Sequence, residues 1–403
     1  MADLAESYVR VVLALGEHDP SYVDAYYGPP EWRAEVRAEA APLGAIADRV
    51  AGLLTACESA AAATPQDASR FAFMRGQLVA AACRVRQLQG QQVSFDEESR
   101  ALYDAVAPSH PDEYFARIID ELERVVPGTG PLIERVERFR SQFLVPADRL
   151  AEVFAVAVAE SRRRTLERVT LPAEERFELE YVTGKPWSGY NWYQGGYVSV
   201  IQVNTDFPVY LERVLDLAAH EGYPGHHLYN VLLERELVRG RGWTEFTVYP
   251  LFSPQSLIAE GTANMGIELA FPDEERRRFT HDVLMPMAGL PVSGADQYEA
   301  FIRAMARLSY AGNEAARRYL DGRVDREGAV DWLTRYALMA PARAEQRTRF
   351  FDVFRSYVIN YNLGQDLVRT YLESRGGTPD QPGRRWDVFL DLLQSPRLPS
   401  GLS

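Results

Sequence analysis

Cysteine is almost absent from this chain of 403 residues: only Cys57 and Cys83 occur, both in alanine-rich segments with helical spacing. Two such thiols exclude a disulfide framework and a cysteine zinc site, and they read as small core residues. Lysine is scarcer still, since Lys185 stands alone among 44 basic residues, a coding bias that carries no mechanism. Positive charge is in deficit overall, with a formal net charge of -13 and an isoelectric point near 5.1. That balance argues against a nucleic-acid groove, which needs a basic surface to displace phosphate counterions. No stretch approaches the about 18 uninterrupted apolar residues of a membrane span. The first twenty residues open with acid rather than base and lack a small-residue cleavage site, unlike a secretory signal. The expectation is a cytoplasmic protein without a membrane or nucleic-acid partner, and nothing in the sequence sets its oligomeric state.

What the chain does have is apolar periodicity. Through residue 172 the apolar positions recur at three and four, as in Leu4, Tyr8, Val11 and Leu15, or Ile118, Leu122 and Val126. Breakers such as Gly28-Pro29-Pro30 and Pro127-Gly128-Thr129-Gly130-Pro131 divide this region into helices of ordinary length. Residues 177–182 and 197–203 are rich in aromatic and β-branched side chains and read as strands, joined by an aromatic and glycine-rich loop over 184–196. That loop is either a hairpin connection or a substrate contact. After Pro208 the helical pattern returns. The expectation is a mainly α fold with a minor sheet, divided into a helical region, 1–172, and a catalytic region, 173–403, the two forming separate domains or one continuous fold.

Three of the six histidines fall within His220-Glu221-Gly222-Tyr223-Pro224-Gly225-His226-His227. Imidazoles beside a carboxylate are what a catalytic zinc site requires, the first to hold the ion and the second to handle a water proton. Leu211, Val214, Leu215 and Ala218 form an apolar stripe that anchors the helix carrying His220. The usual second histidine, four residues on, is replaced by Pro224. On an unbroken helix His226 would point about 240° away from His220, and His227 would lie about 10 Å further along. Neither could share an ion with His220. Gly222, Pro224 and Gly225 supply a break at this point, since proline cannot donate to residue 220 and glycine permits a sharp bulge. The expectation is a kink that folds a later histidine back, with a second helix starting at Pro224; the alternative is a corner where the histidines cap and pack.

Zinc held by two histidines needs one more protein ligand and an open position. Ser253 and Pro254 read as the cap and first turn of a helix whose polar positions, Glu260, Asn264 and Glu268, share one face. Such a stripe is also the pattern of a solvated face, but beside the histidines Glu260 is the candidate third ligand. Glu221 is then the general base. The oxyanion donor is expected to be a tyrosine, and with 21 in the chain, counting does not select one.

The eight-residue motif, preceded by Val203-Asn204-Thr205 and followed by Glu260-Gly261, resembles the large bacterial HExxPGHH family of unknown function. That family is similar to helical zinc peptidases such as carboxypeptidase Taq and angiotensin-converting enzyme. The resemblance spans roughly residues 175–403 and implies a helical zincin-like fold around a deep cleft, with a small sheet next to the metal helix. It implies zinc as cofactor, with His220, His226 and Glu260 as ligands, Glu221 as base and a carboxypeptidase-type activity. His227 occupies a position where the family varies and ranks as a substitute for His226. The family's Tyr-x-x-Gly element is met by Tyr361-Asn362-Leu363-Gly364, which implies Tyr361 as an oxyanion donor or substrate contact. Tyr310, before Gly312-Asn313-Glu314, and Asn204 are further family-like substrate candidates. Thr262 stands where the family has tryptophan, and Arg355-Ser356-Tyr357 where it often has Pro-Gly-Gln; these departures bear on substrate preference.

In the related peptidases a strand beside the metal takes the substrate backbone onto its edge. Residues 197–203, beginning at Tyr197, are the candidate here, or else a core strand. Arg343, Arg347, Arg349 and Arg355 form a basic run that either holds a substrate carboxylate, with Arg355 the candidate, or faces solvent. The leading expectation is a zinc hydrolase of peptides or small amides. The alternatives are a non-catalytic helical binding protein and an amide or ester hydrolase of a specialised metabolite.

Overall fold

The apolar periodicity of the first 166 residues becomes eight helices and one short strand, and local signals set several of their ends. Thr64 caps Pro65–Leu88 in a reciprocal box with Asp67, and Ser94 does the same with Glu97 for Phe95–Tyr103, satisfying backbone donors that a helix start leaves unpaired. The computed structural model describes every residue except Met1, Ala61, Ala63, Pro186, Phe207 and Ser403. Helix accounts for 68% of the described residues, against two small sheets among them, so the fold is mainly α. Among the described residues no helix is long and apolar enough to cross a membrane.

Among the described residues the five strands are β1 (Val23–Tyr26), β2 (Arg176–Val182), β3 (Gly189–Gly195), β4 (Val198–Asn204) and β5 (Val248–Pro250). The three-stranded sheet has the order β2-β4-β3, with β4 parallel to β2 and antiparallel to β3. The stretch read as a loop thus contains a third strand; its Pro186 lies outside the described residues. Asn191 and Tyr193 point inward while Trp192 and Gln194 are exposed, so the period of two was present behind glycines that suggested a turn. A second correction follows from the order. Residues 198–204 form the central strand, paired on both sides, and offer no edge to a peptide.

β1 pairs antiparallel with β5, which ties the amino-terminal region to the region after residue 172, and the buried Arg70–Glu245 pair (Nη2–Oε2 2.7 Å) adds a second link. A continuous apolar cluster runs through both regions. The helices Pro254–Ala270 and Ile359–Ser374 cross with backbones touching: a Cβ on Gly261 would lie 2.4 Å from the Gly364 carbonyl carbon. Only hydrogen fits there, and this contact sets Glu260 and Tyr361 side by side.

Candidate metal centre

The helix Leu211–Leu217 buries Leu211, Val214, Leu215 and Leu217, which fixes the entry to the motif. It then widens into one π-helical turn, Ala218–Gly222, passes through Tyr223 and Pro224, and restarts as His226–Leu233. The break lies where the sequence placed it, though the second helix begins at His226 rather than Pro224. Gly225 makes the return possible. Its N–H donates to the Ala219 carbonyl at 2.9 Å, and a Cβ there would stand 1.9 Å from the His220 carbonyl oxygen. Folded back in this way, His226 brings Nε2 to 3.1 Å from Nε2 of His220.

Glu260 completes a triangle. Its Oε2 lies 3.1 Å from His220 Nε2 and 3.6 Å from His226 Nε2. A tetrahedral ion with bonds of about 2 Å sets its ligands about 3.3 Å apart, so the three atoms fit a zinc-sized cation. Glu260 Oε2 is buried and has no polar partner beyond these two imidazole nitrogens, whereas Oε1 accepts from the Tyr357 hydroxyl at 2.7 Å. A buried carboxylate oxygen left unpaired is costly unless a cation satisfies it. The electrostatics favour positive charge at the same point. Burial opposes ionisation of Glu260, but His226 and His220 outweigh it and hold its pKa well below the usual range. Burial likewise opposes charge on His226, yet Glu260, Glu221 and Asp24 together raise its pKa to about 9. Metal binding would displace that proton.

The outer contacts orient the donors. Asn264, one turn after Glu260, donates from Nδ2 to the Tyr361 carbonyl at 2.8 Å, which turns its Oδ1 to His220 Nδ1 at 2.9 Å. A carbonyl only accepts, so this assignment places the proton of neutral His220 on Nδ1 and presents the Nε2 lone pair to the triangle. Glu268, the third member of the stripe, instead accepts from Gln365 (2.9 Å) and Arg369 (2.6 Å). Thr262 turns away and bonds back to its own helix at Ile258 and Ala259.

Glu221 lines a cavity of about 600 Å³ together with the triangle and Tyr361. Its backbone carbonyl is held by Asn191 Nδ2 at 2.7 Å, and burial raises its pKa against the lowering effect of His220 and His226. A carboxylate with a raised pKa, next to the ligands but outside their triangle, is suited to taking a proton. Tyr361 packs edge-on against Tyr357, 5.8 Å between ring centres. Both rings line the cavity, and the Tyr357 hydroxyl is committed to Glu260.

Other residues singled out from the sequence stand elsewhere. His227 is fully buried and points away from the triangle, with Nε2 2.7 Å from Glu175 Oε1 and Nδ1 2.8 Å from Ser199 Oγ, so it does not substitute for His226. Tyr197 lies at the β3–β4 turn under Arg239, 4.7 Å from its ring centre, outside the cavity wall. Asn204 donates to the carbonyls of Lys185 and Trp187, both at 2.9 Å, and so braces a loop. Tyr310 donates to Asp366 at 2.7 Å, also off the cavity wall. Arg355 is spent on buried Glu98 at 2.6 Å, and Arg349 lies near Glu345 at 3.9 Å on the surface; of the basic run, Arg347 lines the cavity. Sequence reasoning missed two residues. Tyr357 figured only as a departure from a family pattern, and Asp24, on β1, carried no signal beyond being an acid in a short β-prone segment.

No protein-family profile matches the chain, and no curated protein matches it by sequence. Solved structures do. A protein from Colwellia psychrerythraea described as a lipoprotein is similar with a TM-score of 0.55 and 14% identity, over 92% of this chain and 70% of its own. The protein named BsuCP is similar with a TM-score of 0.50 and 11% identity, over 98% of this chain and 89% of its own. Metallocarboxypeptidase 1 of Trypanosoma cruzi aligns over 97% of this chain and 91% of its own, but at a TM-score of 0.38 and 13% identity it carries no inference. At such identities the first two likenesses establish a shared fold and nothing about chemistry.

Proposed function

We propose that this chain is a zinc-dependent hydrolase of peptide or small amide bonds. The observation that carries the reading is the triangle of His220 Nε2, His226 Nε2 and Glu260 Oε2, with sides of 3.1, 3.1 and 3.6 Å, opening on a cavity that Glu221 also lines. Two imidazoles and one carboxylate are a donor set suited to zinc. When bound, such an ion supplies Lewis acidity to a carbonyl oxygen and acidifies water. Glu221 takes the proton from the attacking water and returns it to the departing amine nitrogen. Asn264 holds His220 in the tautomer that presents Nε2, and Tyr357 holds Glu260 by its outer oxygen. Tyr361 donates its hydroxyl to the oxygen on which negative charge develops.

The test is digestion of a mixed library of short peptides, N-acyl amides and esters by zinc-replete protein, read by mass spectrometry. Cleavage that a chelator abolishes and zinc restores is the expected result. Glu221→Gln should retain zinc and lose about 10²- to 10⁴-fold in turnover. An intact library with replete parent protein refutes the proposal and leaves a metal-dependent binding protein.

A further inference from the structure

Besides Glu221, two opposite charges line the cavity with no ion pair of their own among the described residues, and neither is needed to hold the ion. The first is Asp24. β1 pairs with β5 through Val23↔Pro250 and Ala25↔Tyr249, so Asp24 is the extra residue where the register slips. A bulge of this kind re-aims a side chain, and here the carboxylate is delivered to the cavity wall from the amino-terminal region. Tyr190, on β3, donates its hydroxyl to Oδ1. Asp24 is also within electrostatic reach of His226, Glu260 and Glu221, which places it close to the triangle.

The second is Arg347, on the helix Pro341–Phe354. Its guanidinium lines the same cavity and stacks on Phe350, 4.4 Å from the ring centre. Its Nε is buried without a hydrogen-bond partner. A guanidinium fork stacked on an aromatic face, with no carboxylate of the described residues paired to it, is suited to bidentate capture of a planar carboxylate. Asp24 arrives with the strands and Arg347 with the helices, so the two charges come from different parts of the wall. The cavity volume of about 600 Å³ is in the range that takes a small ligand.

We infer that the ligand of this cavity is a short peptide with both ends free, its ammonium held by Asp24 and its carboxylate by Arg347. The inference rests on the hydrolase reading for the fate of that ligand but not for its binding. A long chain cannot satisfy both charges with its own ends inside one small cavity, so the assignment also predicts that activity falls with peptide length.

Titration calorimetry on the zinc-loaded Glu221→Gln form of the 403-residue chain tests this with di-alanine and tri-alanine, each free, N-acetylated, C-amidated and doubly blocked. Each block should weaken binding about 10- to 100-fold, the loss expected when a charged hydrogen-bonded contact goes. Adding Asp24→Asn should erase the penalty for acetylation while keeping that for amidation; adding Arg347→Gln should do the reverse, and Arg347→Lys should recover part of the preference. Equal binding of all four forms, or no binding by any, overturns the assignment, and this result needs neither the Asp24 nor the Arg347 variant to fold. Binding with the expected charge pattern and no cleavage by the parent defeats the hydrolase reading alone. Cleavage indifferent to both ends defeats the ligand assignment alone.

Discussion

Replacement of Asn264 separates a metal-orienting role from a purely structural one. Its amide joins His220 Nδ1 at 2.9 Å to the Tyr361 carbonyl at 2.8 Å, so one side chain fixes an imidazole and ties two helices. Asn264→Leu removes both bonds at nearly constant volume. Loss of such an outer contact lowers metal affinity about 10- to 100-fold, or about 1.4 to 2.7 kcal/mol. The stranded carbonyl adds about 1 to 3 kcal/mol of destabilisation. Asn264→Asp separates the two effects, because its carboxylate still accepts from Nδ1–H, more strongly than an amide, while no longer donating to Tyr361. Zinc affinity by competition with a chromophoric chelator, alongside urea unfolding of the metal-free protein, should find both properties reduced in Asn264→Leu. In Asn264→Asp only stability should fall. Parent-level zinc affinity in Asn264→Leu, or an equal loss of affinity in both variants, would refute the tautomer argument.

Further outcomes follow from the same geometry. His226→Ala should abolish zinc binding, while His227→Ala should keep one zinc per chain and cost about 3 kcal/mol of stability by breaking the buried contact to Glu175; equal zinc loss in the two would contradict the assignment. Gly225→Ala would set a methyl 1.9 Å from the His220 carbonyl oxygen, and since ligands must be held to about 0.5 Å, zinc affinity should fall about 100-fold or more, which the same chelator competition measures. Burial opposes the charge of Glu175, but His227, Tyr223 and Arg162 prevail and hold its pKa at about 2 against an ordinary 4.5. Its folded pKa is depressed, so its contribution is complete above pH 4.5 and disappears as pH falls toward 2. Glu175→Gln should flatten that limb of a stability-against-pH profile, and an unchanged slope would count against the pairing.

The centre was legible where chemistry and spacing coincide. Residue type marked the histidines, the Gly-Pro-Gly punctuation marked the kink, and the four-residue recurrence of Glu260 and Asn264 put both on the face that meets His220. Where a role depends on a partner far away in the chain, the sequence misled. Arg355 looked free because Glu98 is 257 positions distant. His227 looked available as a substitute for His226 because only the packed structure brings Glu175 and Ser199 onto its two nitrogens. Asp24 reaches the cavity through strand pairing across more than half the chain, a placement that no local pattern encodes. β3 was overlooked because glycine at its ends and asparagine within it weigh toward a turn, although its alternation of buried and exposed residues is that of a strand.

The central claim is that one cation sits among His220, His226 and Glu260, and an anomalous difference map from crystals of the zinc-replete protein, collected on either side of the zinc edge, tests it most directly. A single peak within about 2.2 Å of Nε2 of both histidines and of Oε2 of Glu260 is the predicted result. A map without a peak there, or with its peak against His227, would contradict the account.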